Sequence, residues 1–174
     1  MKVLVTGGVR SGKSRHAEAL LADRPTVRYV APGPAYDDAD WAARIAAHRA
    51  RRPASWTTLE THDLAEALAT DQPVLVDCLG TWLTAVIDDA GLWEAPTGVV
   101  LDLVEERVSA ALEVLGDDVV LVTNEVGLGV VPEHRSGRLF RDLLGTVNQR
   151  FAAACDEVHL VVACLLYTSD AADE

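Results

Sequence analysis

Residues 7–14 read GGVRSGKS and carry the spacing G-x-x-x-x-G-K-S, with Gly7, Gly12, Lys13 and Ser14 at its fixed positions. These residue types in this order suit phosphate chemistry. Glycines let the backbone of the loop, with Gly8, Val9, Arg10 and Ser11 between them, turn its N–H groups toward phosphate oxygens. The helix that follows adds the partial positive charge of its N-terminus. Lys13 can reach the outer phosphates, and the Ser14 hydroxyl can ligate Mg²⁺. The flanking sequence supplies the required context. KVLVT before it is a short β-branched run, and KSRHAEALLAD after it spaces Ala17, Leu20 and Leu21 as a helix does. A plain glycine-rich turn between strand and helix is the alternative reading. Asp77, the last residue of VLVD, is a second candidate for the magnesium, directly or through water. A solvated acid at a strand end is its plainer reading.

A second constellation surrounds His48. Arg44, Arg49, Arg51 and Arg52 crowd around this histidine in a chain that holds 27 Asp and Glu against 15 Lys and Arg. Trp41, Ile45 and His48 fall on one face of a helix that stops before Pro53, so His48 can simply pack. Arginines at a helix C-terminus are ordinary dipole partners. The chemical reading is a nucleophile. A neutral imidazole attacks a nucleotide's α-phosphate, forms a phosphoramidate and passes the nucleotidyl group on. The arginines stabilise the charge that develops.

The elements that must position these residues alternate. VRYVA is a second strand, closed by Pro32-Gly33-Pro34, with Asp37, Asp38 and Asp40 where a helix N-terminus favours acids. PVLVD (73–77) is a continuous apolar run, as a buried parallel strand requires. TWLTAVIDD is helical, and a loop from Ala90 to Gly98 precedes a helix over 99–115. In that helix Val100, Leu103, Val104, Val108, Ala111 and Leu115 share a face. DVVLVTNEVG is another buried strand with a polar exit loop. The helix from Arg135 to Ala154 turns Phe140, Leu143, Leu144, Val147 and Phe151 inward, and EVHLVVA is the last strand. Strands alternating with helices give an α/β domain with a mostly parallel sheet and helices on both faces. No repeat, low-complexity segment or linker divides it.

Composition narrows the function classes. At 174 residues, 49% hydrophobic and 24% charged, the chain is one globular domain. A formal net charge of -12 argues against general nucleic-acid binding. Cys78, Cys155 and Cys164 stand far apart with no C-x-x-C, so neither a zinc site nor a disulfide framework is expected. Met1-Lys2 runs straight into VLVTGG, too short for a signal peptide, and no apolar run reaches the length of a membrane span; a cytoplasmic protein is expected. The tail 164–174, CLLYTSDAADE, matches the translation of a transposase adapter used in sequencing libraries. On that reading the domain is 1–163 and the natural chain continues differently after Ala163.

DCLG (77–80) satisfies the D-x-x-G of a GTPase switch, but the place of a guanine-reading N-K-x-D holds TNEVG. A simple small-molecule kinase fits the phosphate loop and leaves the arginine patch unexplained. A nucleotide-sensing module that binds GTP without a covalent adduct is the non-enzymatic competitor.

TGGVRSGKSRHAEAL, ARIAAHRARRP, LVDCLGTWLT and VTNEVGLGVVPEHRSGRLFRDLLGTVNQR occur in this order. Together they resemble the bifunctional adenosylcobinamide kinase/adenosylcobinamide-phosphate guanylyltransferases of cobalamin biosynthesis, over nearly the whole chain to Ala163. The resemblance implies a RecA-like P-loop NTPase fold and a homotrimer with sites near subunit contacts. Its implied substrates are ATP and GTP, with Mg²⁺, and adenosylcobinamide and its phosphate. It implies that His48 is the guanylylated nucleophile. It also implies nucleotide contacts at Arg49, Ala50, Arg51 and Arg52, at Ala31, Pro32 and Gly33, and at Glu60 and Asp77. Three positions depart from the family pattern. Ala47 stands where some relatives have a second histidine, Pro32-Gly33 where small polar residues are common, and His134 where asparagine is common.

Overall fold

The computed structural model describes residues 1–34, 46 and 52–168. The expected helix carrying Trp41, Ile45 and His48 lies outside the described residues, as do the acids 37, 38 and 40. The described elements run β1 (Lys2–Thr6), α1 (Lys13–Leu20), β2 (Arg28–Ala31), β3 (Thr57–Glu60), α2 (Leu64–Leu68), β4 (Val74–Asp77), α3 (Leu79–Ala90), α4 (Thr97–Glu113), β5 (Val119–Val122), α5 (Arg135–Ala154), β6 (Glu157–Val162) and β7 (Leu165–Thr168). The seven strands form one sheet in the order β3-β2-β4-β5-β1-β6-β7. Every pairing is parallel except β6 with β7. This is the mostly parallel P-loop architecture expected from the sequence.

The strands read as unbroken apolar runs because each alternates between two cores. Val3, Val5, Tyr29, Leu75, Val120 and Val122 face one layer, with Ala17 of α1, Leu21 just past its end, Val27 and Trp56. Leu4, Val30, Val74, Val76, Val119 and Leu121 face the other, with the helices α2 to α5. A sheet covered on both faces has no polar side for the two-residue side-chain period to display. In α5 the fully buried set is Leu139, Leu143, Leu144, Val147 and Phe151. Phe140, expected inward, only packs partly against that core, and Leu139 takes its place.

Other boundaries shift for local reasons. The fourth helix begins at Thr97, behind Pro96, whose fixed φ suits a helix entrance. The third begins at Leu79, because Cys78 and Thr81 form a reciprocal cap. Gly80 of DCLG is therefore a buried helical residue, and a Cβ there would lie 3.3 Å from Asn124 Nδ2.

Leu165–Thr168, excluded from the fold in the sequence reading, pairs with β6 as the antiparallel edge strand. The connection is Ala163-Cys164, both with left-handed backbone (φ 50 and 65). Glycine or asparagine is the usual choice in a two-residue turn of this hand. Cysteine in that conformation costs about 1–2 kcal/mol, partly offset by glycine's greater unfolded-state freedom. Cys164→Gly is therefore expected to stabilise the chain by about 1 kcal/mol, raising the melting temperature by about 2–4 °C. An unchanged or lower melting temperature would mean that the turn is not strained by its side chain.

Candidate functional site

The phosphate loop leaves the carboxyl end of β1 and enters α1. Connections from the two adjacent central strands, β1 and β5, pass to opposite faces: α1 packs on one layer and α5 on the other. The carboxyl ends of β1 and β5 therefore open a crevice, the usual ligand position in open α/β sheets. Two glycines of the motif have steric reasons to be glycine. A Cβ on Gly7 would stand 2.4 Å from the Val161 carbonyl oxygen and 2.6 Å from Ser11 Oγ. Gly12, next to α1, has φ 96, and Arg10 is also left-handed at φ 56. Gly8, Val9 and Arg10 are exposed at the tip of the loop.

Lys13 Nζ donates to the Gly8 carbonyl at 3.1 Å, so the ammonium lies across its own loop. Ser14 sits half-buried in the first turn of α1. Ser11 is buried, and its hydroxyl has no hydrogen-bond partner. A buried hydroxyl without a partner is costly, and an anion in the loop is the natural acceptor for it. The loop is tied to its surroundings by backbone bonds. Glu125 N donates to Gly7 O at 3.1 Å, and Cys164 N to Ser11 O at 2.8 Å.

Asp77 ends β4, separated from β1 by β5 alone. Its Oδ2 accepts a hydrogen bond from the Tyr29 hydroxyl at 3.1 Å. Burial, and then the neighbouring Asp77 carboxylate, push the Tyr29 phenol well above its ordinary range, so it remains a donor at any working pH. Arg52 stacks its guanidinium over the Tyr29 ring at 3.6 Å, and its Nη1 donates to Thr58 Oγ1. The expected residues Arg52 and Asp77 are thus linked through a tyrosine that the sequence did not single out. Cys78 follows Asp77 through a cis peptide. Burial raises its thiol's pKa, as does Asp77, while Lys13 acts in the opposite direction.

Ala31 and Glu60 are register partners at the carboxyl ends of β2 and β3. Pro32 is buried, and a Cβ on Gly33 would lie 3.0 Å from Thr81 Cβ. At about 4.8 Å per strand, Glu60 lies about 19 Å along the edge from the phosphate loop and Asp77 about 10 Å. Glu60 and Lys13 can thus meet one bound molecule only at opposite ends of it. His48, Arg44, Arg49, Ala50 and Arg51 lie outside the described residues. Among the described residues, no cluster of three or more His, Cys, Asp or Glu is arranged to hold a metal ion. One hydroxyl and one carboxylate beside a phosphate loop suit Mg²⁺, which takes few protein ligands and completes its shell with water and substrate phosphates.

Next to the loop lies a histidine pair whose members stand 143 residues apart in the chain. His16 Nε2 and His159 Nδ1 are 2.9 Å apart, and His159 Nε2 lies 2.7 Å from Glu157 Oε2. With the carboxylate accepting from Nε2–H of His159, its Nδ1 accepts from Nε2–H of His16. Burial, and then His159, lower the pKa of His16 from its ordinary value. The folded chain therefore resists protonation that the unfolded chain accepts at about pH 6.5. That contribution to stability is complete above pH 6.5 and is lost as pH falls through 6.5 toward the lower folded value. We expect the melting temperature of the wild type to drop more between pH 7.5 and 5.5 than that of His16→Gln. Parallel pH profiles of the two proteins would remove His16 from the acid sensitivity.

Known proteins resemble this chain over nearly all of its length. Residues 3–168 match the family model described as cobinamide kinase / cobinamide phosphate guanyltransferase. The chain is 46% identical to the bifunctional adenosylcobalamin biosynthesis protein CobU of Salmonella typhimurium, over 94% of this chain and 96% of that one. It is 42% identical to the bifunctional adenosylcobalamin biosynthesis protein CobP of Pseudomonas aeruginosa, over 95% of each. Among solved structures, the P4 protein from bacteriophage phi13 is similar with a TM-score of 0.42 at 17% identity, over 95% of this chain and 53% of that one. A phosphate loop at the crevice of a mostly parallel sheet, matched end to end with these relatives, places the chain in the cobinamide kinase / cobinamide phosphate guanyltransferase family.

Proposed function

We propose that this protein runs two reactions on one corrinoid substrate. In the first, the aminopropanol hydroxyl of adenosylcobinamide attacks the γ-phosphorus of ATP or GTP. The bond from that phosphorus to the bridging oxygen breaks, the nucleoside diphosphate leaves, and adenosylcobinamide phosphate forms. In the second, the His48 imidazole attacks the α-phosphorus of GTP and pyrophosphate leaves. A phosphate oxygen of the corrinoid then attacks the same phosphorus, the P–N bond breaks, and adenosylcobinamide-GDP is released with His48 restored.

The observation that carries this reading is the loop Gly7–Ser14 at the β1–β5 crevice, with Lys13 lying across it, in a chain matched to the family over residues 3–168. Lys13, the loop amides and the Ser11 hydroxyl hold phosphate oxygens in both steps. Ser14 and Asp77 would hold Mg²⁺, which would supply charge neutralisation to the transferring phosphate. Tyr29 fixes one carboxylate oxygen of Asp77 through its permanent donor. Arg52, the turn Ala31-Pro32-Gly33, and Glu60 contact the nucleotide along the sheet edge, and Arg49, Ala50 and Arg51 contact it as well.

The same reading makes the active form a homotrimer in the cytoplasm. We also propose that residues 164–174 are an adapter-derived tail. No helix among the described residues is long and apolar enough to cross a membrane.

The decisive experiment is incubation with GTP labelled at the α-phosphate. The label should remain on the denatured protein, survive base and be released by acid, as a phosphoramidate is. GTP binding with no retained label would leave a kinase or a sensor and remove the second reaction.

A further inference from the structure

The loop between β5 and α5 does more than close the crevice. It begins at Thr123, fully buried and bonded through Oγ1 to Asn148 Oδ1 at 2.6 Å. At Glu125 it touches the first glycine of the phosphate loop. It then displays three aliphatic side chains to solvent: Leu128 is 88% exposed, Val130 95% and Val131 62%. The phosphate loop adds a fourth, Val9, at 82%.

This segment is not slack. Gly127 N donates to Glu125 Oε1 at 2.6 Å. Arg141 donates to the carbonyls of Gly127 at 2.7 Å and Gly129 at 3.2 Å. Arg138 donates to those of Pro132 and Glu133. Two arginines of α5 thus hold four carbonyls of the loop, fixing the backbone while its apolar side chains face outward. A preorganised apolar surface of this kind marks a binding site.

Resting on the function proposed above, we infer that Leu128 and Val130 seat the corrin macrocycle while its hydroxyl-bearing arm reaches the phosphate loop. Leu128 is three residues beyond Glu125, so it lies within about 10 Å of the backbone that touches Gly7. The arm need span only that distance. The macrocycle is a large ring whose rim carries methyl groups between its amide arms. Two clefts on the described surface hold about 320 and 210 Å³, at or below the small end of ligand pockets. An open apolar seat beside the reacting group suits such a ring better than an enclosed cavity. A second copy of the chain is the competing occupant, and the molecular mass of the variant distinguishes it.

The test is the double variant Leu128→Ser/Val130→Ser in the full chain, beside the conservative Leu128→Met/Val130→Ile. The serine variant should raise KM for adenosylcobinamide and for its phosphate by about 10–100-fold. KM for the nucleotide, label retention from GTP and melting temperature should stay at wild-type values, and the conservative variant should keep wild-type KM. Wild-type protein active on adenosylcobinamide with an unchanged KM in the serine variant overturns the seat alone. A lower molecular mass of the serine variant in light scattering assigns the patch to contacts between copies and also overturns it. Wild-type protein with no activity on adenosylcobinamide overturns the function and the seat together.

Discussion

Lys13→Ala should lose both reactions, each by about 10²–10³-fold, with the fold intact. The magnitude is that of removing one preorganised charge from a site where negative charge develops. Both reactions hold a nucleoside triphosphate in the same loop, so one substitution is felt twice. The described contact of the ammonium is a single hydrogen bond to Gly8 O, partly exposed. Its loss should change stability by no more than about 1 kcal/mol. Circular dichroism and thermal melting should therefore match the wild type. Kinase assays against nucleotide concentration should show kcat falling as well as KM rising, because the lysine acts on the transferring phosphate. Lys13→Arg should restore little, since a planar fork does not replace a compact point charge that lies across its own loop. Wild-type kinase turnover by a well-folded Lys13→Ala protein would take Lys13 out of the mechanism.

The loop was legible because strand, glycines, lysine, serine and helix are contiguous in the chain, and local sequence determines all of them. The strands β1, β2, β4, β5 and β6 were legible for a related reason: burial on both faces leaves continuous apolar runs. β3 was not. Its sequence TTLE holds one apolar residue, Leu59, and it is a strand because the main chain of β2 offers it a ladder. α2 has five residues, too few to establish a period. β7 was set aside on the origin of its residues, yet pairing with β6 needs only four extended residues and a turn.

The site divides in the same way. Asp77 could be placed at the sheet edge, but Tyr29 could not be assigned to it, since which strand lies beside which is a property of the fold. The bond joins residues 48 apart in sequence, and the His16–His159 contact joins residues 143 apart. The apolar loop after β5 was not legible as a surface, because which of its side chains face solvent is decided by how α5 holds its backbone.

His48→Asn should separate the two halves of the chemistry. Asparagine keeps a polar side chain of similar reach and removes the nucleophilic imidazole. With the nucleophile gone, guanylyl transfer should fall by about 10³-fold or more, since binding and charge stabilisation alone leave only a residual rate. No label from α-labelled GTP should stay on the protein. Phosphorylation of adenosylcobinamide should persist within about tenfold of wild type, because direct phosphoryl transfer needs the loop and Mg²⁺ but no protein nucleophile. Lys13→Ala provides the contrast, since it silences both steps. If His48 only packs beside Trp41 and Ile45, the pattern differs: stability drops, and both activities fall together in proportion to folded protein. Melting curves run beside the two assays therefore distinguish the roles. A well-folded His48→Asn protein that still takes label from GTP would move the nucleophile elsewhere. Of the remaining histidines, His159 is the least suited, buried and bonded on both ring nitrogens. His62 is engaged by Asp89 at 2.7 Å. His16, in α1 just after the phosphate loop, and exposed His134, the residue before α5, would be the first to substitute.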